Sequence, residues 1–247
     1  MIEAFLWGGI AASSLLIGSL LALRATIPRR TVGLIMGFGA GVLLSAVAYD
    51  LVLDATITET RGLTVFLGLL IGACTFFLGN RYLERQSPRN GEADGQTKSA
   101  GGMALILGAV LDGIPESIVL GLTLISGEGI GITVLIAILL SNLPEGIAGT
   151  RDLVETGWTD ARITRTWTIV VVACAFASFA GYAVLGNASP DTVALVQGFA
   201  GGAIIAMLTV SMIPEAYEDG GNLVGLVTAV GFATAFGLTL LEWILGT

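Results

Sequence analysis

Residues 101–125, GGMALILGAVLDGIPESIVLGLTLI, carry two charges, Asp112 and Glu116, in an otherwise apolar run with Pro115 between them. A helix of about 20 mostly apolar residues spans the hydrocarbon core of a bilayer, so this stretch reads as a membrane span. Both acids fall at its middle. A carboxylate at the bilayer centre costs at least about 2.5–3.5 kcal/mol on insertion scales, and such acids normally face a bundle interior or a water-filled cavity. The span is therefore expected to lie against other helices.

The rest of the chain supplies them. Of 247 residues 54% are hydrophobic and only 12% charged, with a mean hydropathy of +0.88; a soluble domain of this size needs far more charge to cover its surface. Runs long enough to cross the membrane stand at roughly 4–23, 31–53, 62–83, 102–125, 129–150, 165–186, 192–213 and 221–245. Little is left over, so the fold expected is an all-α membrane protein, an eight-helix bundle forming one domain over 1–247 with the lipid bilayer as its solvent. The opening MIEAFLWGG has Glu3 and no Lys or Arg, so it lacks the positive region of a signal peptide and reads as a first span.

The eleven Lys and Arg residues orient the bundle. Arg24, Arg29 and Arg30 lie between spans one and two, Arg81, Arg85, Arg89 and Lys98 between three and four, and Arg151, Arg162 and Arg165 between five and six; Arg61 alone falls in a loop of the other parity. The positive-inside rule then puts these three loops in the cytoplasm and both termini outside. The formal net charge of −8 gives no footing for a nucleic-acid partner. Residues 84–102 read as a flexible cytoplasmic linker, rich in Pro, Gly and mixed charge. Residues 151–162, RDLVETGWTDAR, read as a second cytoplasmic loop with a short interfacial helix anchored by Trp158. Cys74 reads as a small packing residue.

GFGAGVLLSAVAYDLVLDA (37–55) and GFAGGAIIAMLTVSMIPEA (198–216) share an opening Gly-Phe-small-small-Gly cluster and a closing acid-Ala pair. The charge rule runs the two copies in opposite directions, as in transporters built from inverted repeats. Asp54 and Glu215 match in position, near span ends, where a solvated role and a pathway role are both open.

Span five carries a second polar motif, LLSNLPEGIAGT, with Asn142 and Glu145 near its middle. At spacings of four and three residues, Asp112 with Glu116 and Asn142 with Glu145 each share one helix face. Pro115 cannot donate to the Leu111 carbonyl, nor Pro144 to that of Leu140. In lipid such freed groups persist only where protein, water or a ligand satisfies them. Two loosened turns lined by Asp112, Glu116, Ser141, Asn142 and Glu145 suit a cation; the bland alternative is a buried hydrogen-bond network between helices with one carboxyl protonated.

At these residues the sequence resembles the ZIP family of divalent metal transporters. DGIPES (112–117) and SNLPEG (141–146) stand where that family carries His-Asn-x-Pro-Glu-Gly and His/Gln-Asp/Glu-x-Pro-Glu, and the two glycine-rich stretches are similar to its second and seventh spans. The resemblance implies an inverted 3+2+3 bundle, often a homodimer, that moves metal by alternating access between spans four and five. It implies Asp112 in place of the span-four histidine, Gly113 in place of its asparagine, Ser141 and Asn142 in place of span-five ligands, and Glu116 and Glu145 as the kept glutamates. Cys174 falls where many members carry a glutamate, and Asp50 and Glu215 match pathway acids.

The chain has no histidine. The remaining oxygen donors favour Mg²⁺, Ca²⁺ or Mn²⁺ over Zn²⁺ by ligand type, whereas a Cys174 thiolate would pull the choice toward Zn²⁺ or Fe²⁺. One transported cation is expected, with Zn, Mn, Fe, Mg and Co undistinguished, and no other cofactor. A ZIP-fold protein that has lost metal transport, carrying another solute or serving as a partner subunit, is the serious rival. An intramembrane aspartyl protease using Asp50 and Asp112 is the weaker one, because LDG lacks the Gly-x-Gly-Asp arrangement; the chain is not expected to be an enzyme.

Overall fold

A computed structural model describes residues 2–56, 62–86, 113–114, 116–121, 124 and 132–245. Among them the chain is a bundle of apolar helices: α1 (Ile2–Arg24), α2 (Arg29–Ala46), α3 (Gly62–Gln86), α4 (helical at 113–114 and 116–121), α5 (Ile132–Glu155), α6 (Asp160–Leu185), α7 (Pro190–Met207) and α8 (Leu223–Leu245). Seven of the described helices are long and apolar enough to cross a membrane. The chain is a multi-pass, all-α membrane protein. Two spans are longer than the helix labels suggest, because α2 continues through a π turn, Val47–Leu53, and α7 through another, Leu208–Met212, into a last helical piece, Ile213–Gly220. The seventh span thus passes the boundary expected at 213; Pro214 comes just after the π turn, and its missing N–H leaves a carbonyl of the preceding turn without a helical donor.

The packing follows the repeat. α3 packs along α7, and α8 along α2. A Cβ at Gly72 of α3 would meet the Phe199 carbonyl of α7, and a Cβ at Gly231 of α8 would meet the Phe38 carbonyl of α2. Phe38 and Phe199 occupy the same place in the two glycine-rich stretches, as do Val47 and Leu208, where the π turns begin. Gly33 near the start of α2 lies against Gly220 at the end of the seventh span, so the copies run antiparallel. The outer contacts are exchanged in the same way. α1 meets α5 where Gly18 faces the Leu143 carbonyl and Gly146 the Leu15 carbonyl; α6 meets α4 where Gly181 and Gly121 face Ile118 and Ser178.

The second loop differs from expectation. Helix α5 runs on to Glu155, only a tight turn separates it from α6, and the Thr159 hydroxyl caps α6 by accepting from Arg162 N at 3.4 Å. Trp158 is not a membrane-surface anchor: it is buried with Leu153, Ile163 and Leu15, and Arg162 stacks 3.6 Å above its ring. The apolar residues on either side of the turn, Leu153 and Ile163, draw the indole inward. Most of the 84–102 linker lies outside the described residues.

Gly231→Leu is expected to force α8 off α2 and lower stability by about 1–3 kcal/mol or more, the scale of overpacking. Gly237→Leu, at a position with open space around it inside α8, is expected to leave α8 seated and to raise stability by up to about 1 kcal/mol, the helix-propensity gain over glycine. Unfolding of the two purified variants in one detergent checks the pair.

Candidate metal site

The inner part of the bundle is built from α2, α4, α5 and α7. Met36, Ala40 and Leu43 of α2, Val119 and Leu120 of α4, Ile138 and Ile147 of α5, and Ala203 and Met207 of α7 form one apolar core. Polar groups from α4 and α5 are embedded beside it. Glu116, Ser117, Ser141 and Asn142 are each buried, at 2%, 4%, 2% and 2% exposure, and Glu145 is half-buried. Asp112 and Pro115 lie outside the described residues.

Each helix places its polar residues through local chemistry. Ser117 Oγ donates to the Gly113 carbonyl at 2.7 Å, one turn back, which holds the hydroxyl against its own helix. Ser141 Oγ likewise donates to Ile138 O at 3.1 Å. Pro144 sits inside α5 and leaves the Leu140 carbonyl without its helical donor. That carbonyl faces Gly39 of α2, where a Cβ would come within 2.9 Å of it. The freed oxygen therefore points into the inner bundle at a glycine, which lets the α2 backbone come close.

Cys174 of α6 joins this group. It is 1% exposed, and its thiol lies within hydrogen-bonding reach of Ser117 and electrostatic reach of both Glu116 and Glu145. A Cβ at Gly113 would stand 2.9 Å from its Sγ, so Gly113 is what admits the sulfur. Ser117 and this role of Gly113 were missed from sequence; a hydroxyl one turn from Gly113 inside an apolar span was the available signal for the first, and only a three-dimensional contact shows the second. The site thus draws α4, α5 and α6 together, with Glu116 and Glu145 on two of its walls. Among the described residues no three of His, Cys, Asp and Glu stand close enough together to hold a metal ion.

The remaining acids lie elsewhere. Asp50 sits in the π turn of the second span and accepts from Thr239 Oγ1 of α8 at 3.3 Å, a contact between residues far apart in sequence. The backbone of Asp54 opens a short helical piece, Asp54–Thr56; its side chain is outside the described set. Glu215 is half-buried at the other end of the bundle, within electrostatic reach of Asp152, Glu218 and Asp219.

Comparison with known proteins identifies the family. The family profile described as "ZIP Zinc transporter" matches residues 81–244, about two-thirds of the chain and all of the span pair that carries the site. The chain belongs to the ZIP family. An Arabidopsis thaliana protein named "Putative zinc transporter" is 26% identical over 197 residues, covering 76% of this ZIP chain. The chain spans only about 30% of that relative's length.

Gly113→Ala is expected to press on the Cys174 sulfur and lower stability, and Cys174→Ala is expected to relieve much of that loss. A double-mutant cycle read by thermal unfolding should give a coupling of about 0.5–3 kcal/mol, the range for side chains in contact.

Proposed function

We propose that this ZIP protein moves a divalent metal cation across the membrane by alternating access, through a site at mid-bundle between α4 and α5. The observation that carries the reading is the burial of Glu116 beside Ser117, Ser141 and Asn142, with Glu145 and Cys174 adjoining, at a turn opened by Pro144. Acids inside a membrane bundle are rare and costly, and they commonly mark ion paths. In this reading Glu116 and Glu145 supply the main charge, Asp112 a third carboxylate, and Ser141 and Asn142 neutral oxygens. Ligation passes on to Asp50 and Asp54 at one end and Glu215 at the other as the central helices shift. The clustering of Arg24, Arg29, Arg30, Arg81, Arg151, Arg162 and Arg165 in loops of one parity supports a cytoplasmic placement for that face and outward termini. A homodimer, suggested by family membership, is part of the proposal, and the chain has no enzymatic role in it.

The cargo follows from the donors. Family membership and the name of the plant relative support a transition-metal cargo such as Zn²⁺, while the absence of histidine leaves mostly hard oxygen donors that suit Mg²⁺, Ca²⁺ or Mn²⁺, with a Cys174 thiolate pulling toward Zn²⁺ or Fe²⁺. A second reading, a ZIP-fold protein that carries another solute or serves as a partner subunit, draws on one observation: the described acids and Cys174 do not form a ready-made cage.

Equilibrium binding of Mg²⁺, Mn²⁺, Fe²⁺, Co²⁺ and Zn²⁺ to the purified chain separates the two. The transporter reading expects at least one ion to bind, with Glu116→Gln and Glu145→Gln each weakening it by about tenfold or more, since changes even to a ligand's supporting partners cost 10–100-fold. Folded variants that bind as well as the wild type would favour the second reading.

A further inference from the structure

At the end of the bundle that carries the arginines, a cavity of about 270 Å³ opens between the end of α1 and α5, lined by Arg24, Ala25, Thr26, Ile27, Ile147 and Arg151 among others. Its lining includes none of the acids or Cys174 of the mid-bundle site. Two guanidinium-bearing residues line it and, among the described residues, no carboxylate does. The carboxylates Asp152 and Glu155 of this end stand outside the lining. Glu155 pairs with Arg29 at 3.5 Å, and Asp152 has Arg29, Glu155 and Asp219 as electrostatic neighbours besides Arg151. Neither Arg24 nor Arg151 has an ion-pair partner within 4.0 Å among the described residues.

We propose that this cavity binds the phosphate of an anionic phospholipid headgroup. Depth fits: α1 has 23 residues, about 34 Å at 1.5 Å per residue, against a hydrocarbon core of about 30 Å, so Arg24 and the turn after it reach the headgroup layer. Donor chemistry fits, since a guanidinium matches phosphate oxygens with two parallel N–H bonds. Basic pockets between transmembrane helices on the cytoplasmic side are one known form of headgroup site. The volume holds a headgroup but not its chains. For those, Ile10, Ile17 and Leu21 present exposed apolar side chains along α1 up to the turn before Arg24. Free inorganic phosphate offers the same oxygens but gains nothing from that ridge.

Native mass spectrometry of the full chain, released from mixed micelles of phosphatidylglycerol and phosphatidylcholine, tests the assignment. The wild type is expected to retain phosphatidylglycerol preferentially, as is Arg81→Gln, which removes a charge elsewhere. Arg24→Gln/Arg151→Gln is expected to lose the preference by roughly tenfold or more, the scale of two basic contacts at a membrane surface. Should that variant not fold, Arg24→Lys/Arg151→Lys carries the same comparison, with partial loss expected because charge remains and the planar fork does not. Full retention in either pair, or no preference in the wild type, overturns the site. In a second arm, inorganic phosphate is added to lipid-free protein; stabilisation by phosphate equal to that by phosphatidylglycerol would identify a free anion as the occupant and overturn the lipid assignment.

Discussion

Backbone contact between helices is the constraint from which the rest of this structure follows. Lipid tails are as apolar as leucine, so helices in a membrane associate through close packing, and small residues permit it. Gly41 of α2 and Gly202 of α7 show how far this goes: a Cβ at either would collide with a carbonyl of the neighbouring helix, Thr228 on α8 and Leu69 on α3. Because α2 and α7 are each clamped on one side by a repeat partner, their other sides are free to enclose α5 and α4. An inner core of four helices results, with α1, α3, α6 and α8 turned outward to lipid.

Polar residues can be buried in that core because its walls are protein. Glu116, Ser117, Ser141 and Asn142 would each be costly on a lipid-facing surface, and the backbone of α2 at Gly39 and Cys174 of α6 pack against this group. The π turns add to this arrangement. They begin at equivalent residues, Val47 and Leu208, on the two repeat-related helices. A π turn widens the helix and is often found at functional sites. Their shared position shows that the repeat preserves backbone irregularity as well as glycine spacing.

Much of the fold was legible in the sequence, because membrane spans are long and apolar and the glycine clusters recur. The buried polar groups of α5 were legible too, since Ser141 and Asn142 stand out in an apolar run beside a proline. Three features were not. Neither π turn has a local sequence signal, as VAYDLVL and LTVSM read as ordinary helix. Trp158 looked like an interface residue because its polar neighbours RDLVETG and TDAR masked the inward pull of Leu153 and Ile163. The Asp50–Thr239 hydrogen bond joins residues from the second and last spans, and nothing in either segment points to the other. Cys174 lies between these cases: the family resemblance put it loosely near the acids, but its approach to Gly113 exists only in the packed structure.

The central claim is that the buried carboxylates of α4 and α5 form a path for a cation. Flux into proteoliposomes loaded with a fluorescent metal indicator tests it most directly, comparing the wild type with Glu116→Gln at equal reconstitution. The account predicts saturable entry of at least one divalent metal with the wild type and a loss of most of that flux in the variant. Equal flux through both, or none above empty liposomes for any divalent metal tried, would contradict it.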